Sequence, residues 1–207
     1  MSDSSKHFIV GYGSLLSADS RQRFSNINSA AIPLTLNGWK RAWHTRSTDE
    51  NQTYVGAQPD KKSSLNGVLL EIDEISPGLQ KREQDYQFIE VTIEEIDFHL
   101  PEDQKNVKRC EVSAHSIWVC QTLDTLPANE EHPVYQSYID TCLLGCLETE
   151  VEGFVDAFIK STDLWHHHWL NDRHDPRYPR AAKIGKQGAT MIDTMLDAMQ
   201  VLEHRIE

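Results

Sequence analysis

Apolar residues recur along this chain with two periods, and the switch between them divides it. Up to about residue 120 they fall in short β-branched and aromatic runs, the pattern of strands; beyond Pro133 they return every three or four residues, the pattern of helices. Phe8-Ile9-Val10-Gly11-Tyr12 predicts a strand that ends in Gly11-Tyr12-Gly13-Ser14-Leu15-Leu16, after which Ser17 caps a helix running toward Phe24. Residues 31–46 and 53–57 read as strands, with Asn37-Gly38 as a hairpin or bulge signal, and residues 66–73 as another strand opened by its own Asn66-Gly67. Ser76-Pro77 supplies an N-cap and a first-turn proline, predicting a short helix over 77–85 with Glu83 in its last turn. Ile89, Val91 and Ile93 then alternate with Glu90, Thr92 and Glu94, and residues 116–120 make one more strand.

Helical spacing follows. Tyr135, Tyr138, Ile139, Cys142, Leu143 and Cys146 share one stripe, and Val151, Phe154, Val155, Phe158 and Ile159 another; Met191, Ile192, Met195, Leu196, Met199 and Leu202 form a last one. Between them, residues 165–185 are irregular and rich in histidine, arginine and proline. Strands followed by helices predict an α+β fold, a small mixed, barrel-like β-sheet with surrounding helices. The expected organisation is a domain over residues 1–160 and a C-terminal helical extension over 161–207 packed on it.

Composition narrows the function classes. A chain of 207 residues that is 39% hydrophobic can bury one substantial core. Its formal net charge of −12 repels phosphates, so neither nucleic acid nor an acidic membrane is expected as a partner. No apolar run approaches the roughly 18 residues of a membrane helix, and the first residues lack the blocks of a signal peptide, so a cytoplasmic protein is expected. Its four cysteines, Cys110, Cys120, Cys142 and Cys146, are then thiols. Cys142 and Cys146 share a helix face and invite a metal reading, but with no CxxC motif the small-core reading is preferred. The sequence carries no signature of oligomeric state.

Candidate chemistry is concentrated in few places. The glycine loop at 11–16, between a strand and a helix, would present backbone N–H groups at a helix N-terminus to a carboxylate, a phosphate or an oxyanion. It is not a Walker A loop, since no Gly-Lys-Ser/Thr follows. Glu83 sits in the charged stretch Leu79-Gln80-Lys81-Arg82-Glu83-Gln84-Asp85-Tyr86, which taken by itself reads as a solvated surface turn. Arg41, Arg46 and Arg82 are candidates to pair with a substrate carboxylate, and Trp39 and Trp43 read as core or pocket wall. His166-His167-His168, with Asp172, His174 and Asp175, offers ligands for a divalent metal, but three consecutive histidines cannot face one point and no HExxH spacing occurs.

Taken in order, Tyr12-Gly13-Ser14-Leu15-Leu16, Arg82-Glu83 with Tyr86, and Pro133-Val134-Tyr135-Gln136-Ser137-Tyr138 resemble the γ-glutamylcyclotransferase-like family over roughly residues 7–160. The stretch from Tyr54 to Asp73 resembles that family's intervening strands. The resemblance implies a pocket at the glycine loop and a cofactor-free, metal-free enzyme that closes a γ-glutamyl group to 5-oxoproline and releases the attached amine. It places Glu83 as the general acid/base, Tyr12, Gly13, Ser14 and Leu15 on the substrate-binding loop, and Tyr86 and Tyr138 along the pocket. Leu15 stands where asparagine is common in the family, and Gln80 where many members carry aspartate. The expected partner is a small γ-glutamyl compound; glutathione, γ-glutamyl dipeptides and γ-glutamylamines differ only beyond the scissile amide. A non-catalytic binding module of the same fold and a metal protein built on His166–His174 are the alternatives.

Overall fold

The structure, a computed structural model, describes residues 6–47 and 49–207. Strand β1 (His7–Gly11) leads through a 3-10 turn (Ser14–Leu16) to α1 (Ala18–Ser25), with Ser17 as N-cap. Next come β2 (Ile32–Ser47) and β3 (Gln52–Ile72), α2 (Pro77–Arg82), β4 (Tyr86–Val91), β5 (Ile96–Phe98), α3 (Glu102–Val112) and β6 (Ser116–Thr122). The C-terminal half contains β7 (Val134–Tyr135), α4 (Gln136–Leu147), α5 (Phe154–Lys160), β8 (Thr162–Asp163), β9 (Trp169–Leu170), α6 (Lys186–Ala198) and β10 (Arg205–Ile206).

The main sheet runs β4-β6-β1-β3-β2-β5, with β8 added to β2. It is mixed: β1 pairs antiparallel with β3 and parallel with β6. The long β2–β3 hairpin runs in register from Ile32↔Leu69 to Ser47↔Gln52 with two shifts, and β3 also touches β6 at Ala57↔Gln121. A strand that meets three neighbours along its length bends the sheet, which curls into a half-barrel and gives the α+β fold expected from the sequence.

Of the two readings of Asn37-Gly38 the bulge holds: β2 runs on through it, with Gly38 at φ +80° and a register shift between Asn37 and Trp39. Two other local readings need correction. Asn66-Gly67 opens no strand: it lies inside β3, which is continuous from Gln52. There the Asn66 side chain accepts from Arg41 and donates to the Phe154 carbonyl. The alternation through Ile93 is cut short at Val91, because Thr92 and Glu95 form a capping box around a 3-10 turn. Helix α3 went unread in the sequence; of its eleven residues only Val112 is buried, so it has no apolar stripe to betray it.

Ten of the twelve residues of α4 are buried, which makes it the central helix. Gly145 lets it approach the turn after β1 closely: a Cβ there would collide with the backbone of Leu16 and Ser17. Cys120, Cys142 and Cys146 are buried thiols and Cys110 is exposed. Among the described residues no helix is long and apolar enough to cross a membrane.

Arg41, on β2, is fully buried and makes six hydrogen bonds, all to carbonyl, amide or hydroxyl oxygens: Tyr12, Asn66 (twice), Phe158, Ser161 and Thr162. Its guanidinium also lies 3.8 Å over the Phe158 ring. Replacement by methionine leaves several of these acceptors dry and unpaired, so Arg41→Met should lower the unfolding free energy by ~3 kcal/mol or more in chemical denaturation. Nearby His44 is 4% exposed and its Nε2 has no partner, and burial, helped by Lys40, lowers its pKa from 6.5 to about 4. The unfolded chain thus takes up the proton first. This stabilisation is complete above pH 6.5 and is lost as pH falls toward 4, on the order of 2 kcal/mol by pH 5. Denaturation at pH 7 and pH 5 should show the drop in the native protein and a smaller one in His44→Phe.

Candidate active site

The site begins where β1 stops. Arg41 donates to the Tyr12 carbonyl at 3.2 Å, and the Tyr12 hydroxyl donates to the Cys120 carbonyl on β6, so this residue is held at both ends. The first bond of the following turn runs from the Leu16 amide to the Gly13 carbonyl, 3.0 Å. The amides of Gly13, Ser14 and Leu15 precede it and have no acceptor within the turn. The sequence places these amides at the start of an α-helix; the structure does not. α1 begins only at Ala18, whose amide donates to Glu148 at 2.7 Å, while Ser17 accepts from the Ser20 amide. The loop presents the amides of a 3-10 turn, and the helix terminus is closed by protein groups.

Ser76 caps α2 by accepting from the Leu79 amide, and the helix ends at Arg82. Glu83 is therefore the C-cap and not part of the last turn, because the Tyr86 amide bonds back to its carbonyl and turns the chain into β4. Its carboxylate lies 3.2 Å from Arg82 Nε, with the two side chains 13% and 5% exposed. Arg82 also donates to Ser14 at 2.8 Å and to Ser25, tying the glutamate's helix to the glycine loop. Burial raises the Glu83 pKa; Arg82 and then Arg180 oppose that rise. Gln80 donates to the Ile75 carbonyl at 3.3 Å, so it anchors α2 away from the site.

Glu83, Arg82 and residues 12–15 line one cavity of about 40 Å³, measured as space open to the centre of a water molecule and several times the roughly 10–15 Å³ that one water needs. Tyr86 and Tyr138 line it too. The Tyr86 hydroxyl donates to the Val55 carbonyl at 2.7 Å. Tyr138, from α4, lies so close to Gly13 that a Cβ there would come within 2.9 Å of its hydroxyl. All seven residues assigned through the resemblance thus come together around one space.

Four lining residues were not singled out from the sequence: Tyr54, Asp85, Tyr178 and Arg180. Tyr54, Tyr138 and Tyr178 form a ring cluster with centroid separations of 5.0, 4.7 and 5.9 Å, an edge-packed wall. Tyr178 and Arg180 come from the irregular segment, whose aromatic and proline content was the only local signal. Tyr54, Arg82, Asp85 and Arg180 also border an outer cleft of about 380 Å³ that continues the cavity toward solvent.

The remaining candidates lie elsewhere. Arg41 is committed to the core, and Arg46 donates to the Pro127 carbonyl. Trp43 is core, edge-on to Tyr138 and Trp165. His166 and His167 stack on each other, while Asp172 is buried and accepts from Ser137 and the Arg177 amide. Among the described residues, no three His, Cys, Asp or Glu side chains are grouped to hold a metal.

The chain has the fold of solved γ-glutamyl cyclotransferases. One structure of that name aligns with a TM-score of 0.56 at 12% identity, over 91% of this chain and 99% of its own. An uncharacterized human protein aligns at 0.52 and 14% identity over 91% and 98%. A yeast γ-glutamyl cyclotransferase described as specific to glutathione aligns at 0.50 and 15% identity over 79% and 99%. No family model matches the sequence, and no curated protein matches it. At these identities the likeness is one of architecture.

The electrostatics of the pair are directly measurable. A carboxyl titration followed by NMR should give Glu83 a pKa above 4.5, and Arg82→Gln should raise it further, because the variant removes a cation that favours the charged form. An unchanged or lowered value in the variant would mean that the ion pair is not formed in solution.

Proposed function

We propose that the protein cyclises the γ-glutamyl group of a small substrate to 5-oxoproline and expels the amine bound to it. The observation that carries this reading is the placing of the buried carboxylate of Glu83 in the same cavity that residues 12–15 line, on a fold shared with γ-glutamyl cyclotransferases. The substrate contains its own nucleophile. Once its α-ammonium loses a proton, the amine can attack the γ-carbonyl and close a five-membered ring, so the protein needs only to fold the substrate and move a proton.

Glu83 is suited to that transfer. Its burial raises its proton affinity, and Arg82, 3.2 Å away, opposes that rise by favouring the charged form. The carboxylate takes the proton from the ammonium, the nitrogen forms its bond to the carbonyl carbon, and the oxygen gains the negative charge. Amides of the turn at 13–15 are the donors available to that oxyanion. When the intermediate collapses, the C–N bond to the leaving amine breaks, Glu83 gives its proton to the departing nitrogen, and the carboxylate so regenerated takes the second proton from the ring nitrogen and passes it to the released amine, leaving neutral lactam and ammonium. No cofactor enters this scheme. Tyr138 and Leu15 would form the wall against which the glutamyl chain folds, since both are buried and line the cavity.

Incubation with a panel of γ-glutamyl amino acids, glutathione and γ-glutamylamines should release 5-oxoproline from at least one member, and Glu83→Gln should reduce kcat/KM by about 10²–10⁴-fold. Full activity in Glu83→Gln would remove the glutamate from the mechanism. Tight binding without turnover across the panel would favour a binding module of the same fold.

A further inference from the structure

Arg180 differs from the other arginines near the cavity in how little of its hydrogen-bonding capacity is used. Arg41 is saturated by six bonds, and Arg82 is engaged with Glu83, Ser14 and Ser25. Arg180 has three long contacts: Nε to the Tyr178 hydroxyl at 3.2 Å, Nη1 to Glu50 at 3.3 Å and Nη2 to the Tyr54 hydroxyl at 3.4 Å. Its position is fixed instead by two aromatic faces, with the guanidinium carbon 5.1 Å from the Tyr178 ring and 5.8 Å from the Tyr54 ring. The side chain is 19% exposed and borders both the inner cavity and the outer cleft. A planar fork held by rings, with only long and exchangeable contacts along its edge, is an arrangement that can bind a carboxylate with two parallel bonds.

Which carboxylate follows from the direction of the reaction. The glutamyl end must lie against Glu83 and the 13–15 turn, which line the inner cavity and not the outer cleft. The amine it loses must leave outward, past Arg180. One carboxylate already touches this guanidinium: Glu50, 28% exposed, on the loop between β2 and β3. A substrate carboxylate arriving from the cleft would take its place. The other acids near this path are Asp49, which borders the outer cleft beside Lys81, Asp85, and Glu83, which is offset by Arg82.

Building on the cyclisation described above, we infer that Arg180 determines specificity by binding a carboxylate on the carbon that bears the scissile nitrogen, so that the substrates are γ-glutamyl amino acids with a free α-carboxylate. Glutathione, whose carboxylate is one residue further out, and γ-glutamylamines without a carboxylate are disfavoured.

The test compares γ-glutamylalanine with its C-terminal amide. The native protein should favour the acid by roughly 10–100-fold in kcat/KM, the range expected for a charged hydrogen-bonded contact. Arg180→Gln should bring the ratio close to one, and Arg180→Lys, with the charge but not the fork, should retain part of it. Glu50→Gln should tighten binding of the acid without tightening that of the amide. Calorimetry with the Glu83→Gln protein separates the two layers of the argument. If nothing is turned over by the native protein but the acid still binds about tenfold more tightly than the amide, the cyclisation fails and the role of Arg180 stands. If acid and amide bind alike, if neither binds, or if Arg180→Gln lowers both by one factor, the inference is overturned.

Discussion

A guanidinium buried without a carboxylate is the constraint on which the remaining structure depends. Removing a charge from water costs several kcal/mol even after relaxation, and only a complete set of acceptors offsets it. Arg41 has that set, and its members belong to different parts of the chain: the loop after β1, the middle of β3, the end of α5 and the two residues that follow it. Burial lowers its pKa to about 10, still far above neutrality, so it remains a cation there. Each partner must be in place at once. The loop carrying the candidate site is thereby fixed from beneath, at the Tyr12 carbonyl, before any ligand arrives.

Proceeding outward from Arg41, the arginines become progressively less saturated. Arg41 is complete and takes no part in binding. Arg82 has two roles: it joins α2 to the glycine loop, and it opposes the effect of burial on the Glu83 carboxyl. Arg180, at the mouth, is positioned mainly by ring faces. Guanidinium groups hold their charge at any physiological pH, so what distinguishes the three is the number of acceptors the fold already supplies. Binding capacity is what remains after folding has taken its share.

Much of this was legible in the sequence, and the gaps share a physical cause. Local signals carried well: Ser17 and Ser76 cap the helices they were expected to cap, and the helical stripes at 135–146 and 154–159 are α4 and α5. Glu83 and the loop at 12–15 meet around one cavity, as the order of motifs implied. What could not be read was set by contacts distant in sequence. Asn66-Gly67 looks like a turn because turns need that chemistry, yet here the asparagine is required by Arg41, and the glycine by the Gly11 carbonyl, which a Cβ would approach to 2.8 Å. Arg41 itself reads as a candidate for a substrate carboxylate, since nothing near it in sequence announces its acceptors. Tyr178 and Arg180 carry no periodicity because they belong to no regular element.

Those last residues are nonetheless placed firmly, and the means of placement constrains how such a site can vary. Helix α4 presents Tyr138 to the cavity and packs Gly145 against the glycine turn, so it defines the floor. The same helix binds the irregular segment: Ser137 donates to Asp172 and accepts from the Tyr178 amide, Asp140 pairs twice with Arg173, and Thr141 accepts from the Ala182 amide. Floor and mouth are thus referenced to one helix, and Glu83, at the end of α2, is tied to that floor through the bond from Arg82 to Ser14. Under the specificity proposed for Arg180, substitutions within 177–180 would alter the mouth while the anchors at Asp172 and Arg173 keep the segment seated. They would also be felt at the carboxylate, because Arg180 opposes the burial-driven rise of the Glu83 pKa.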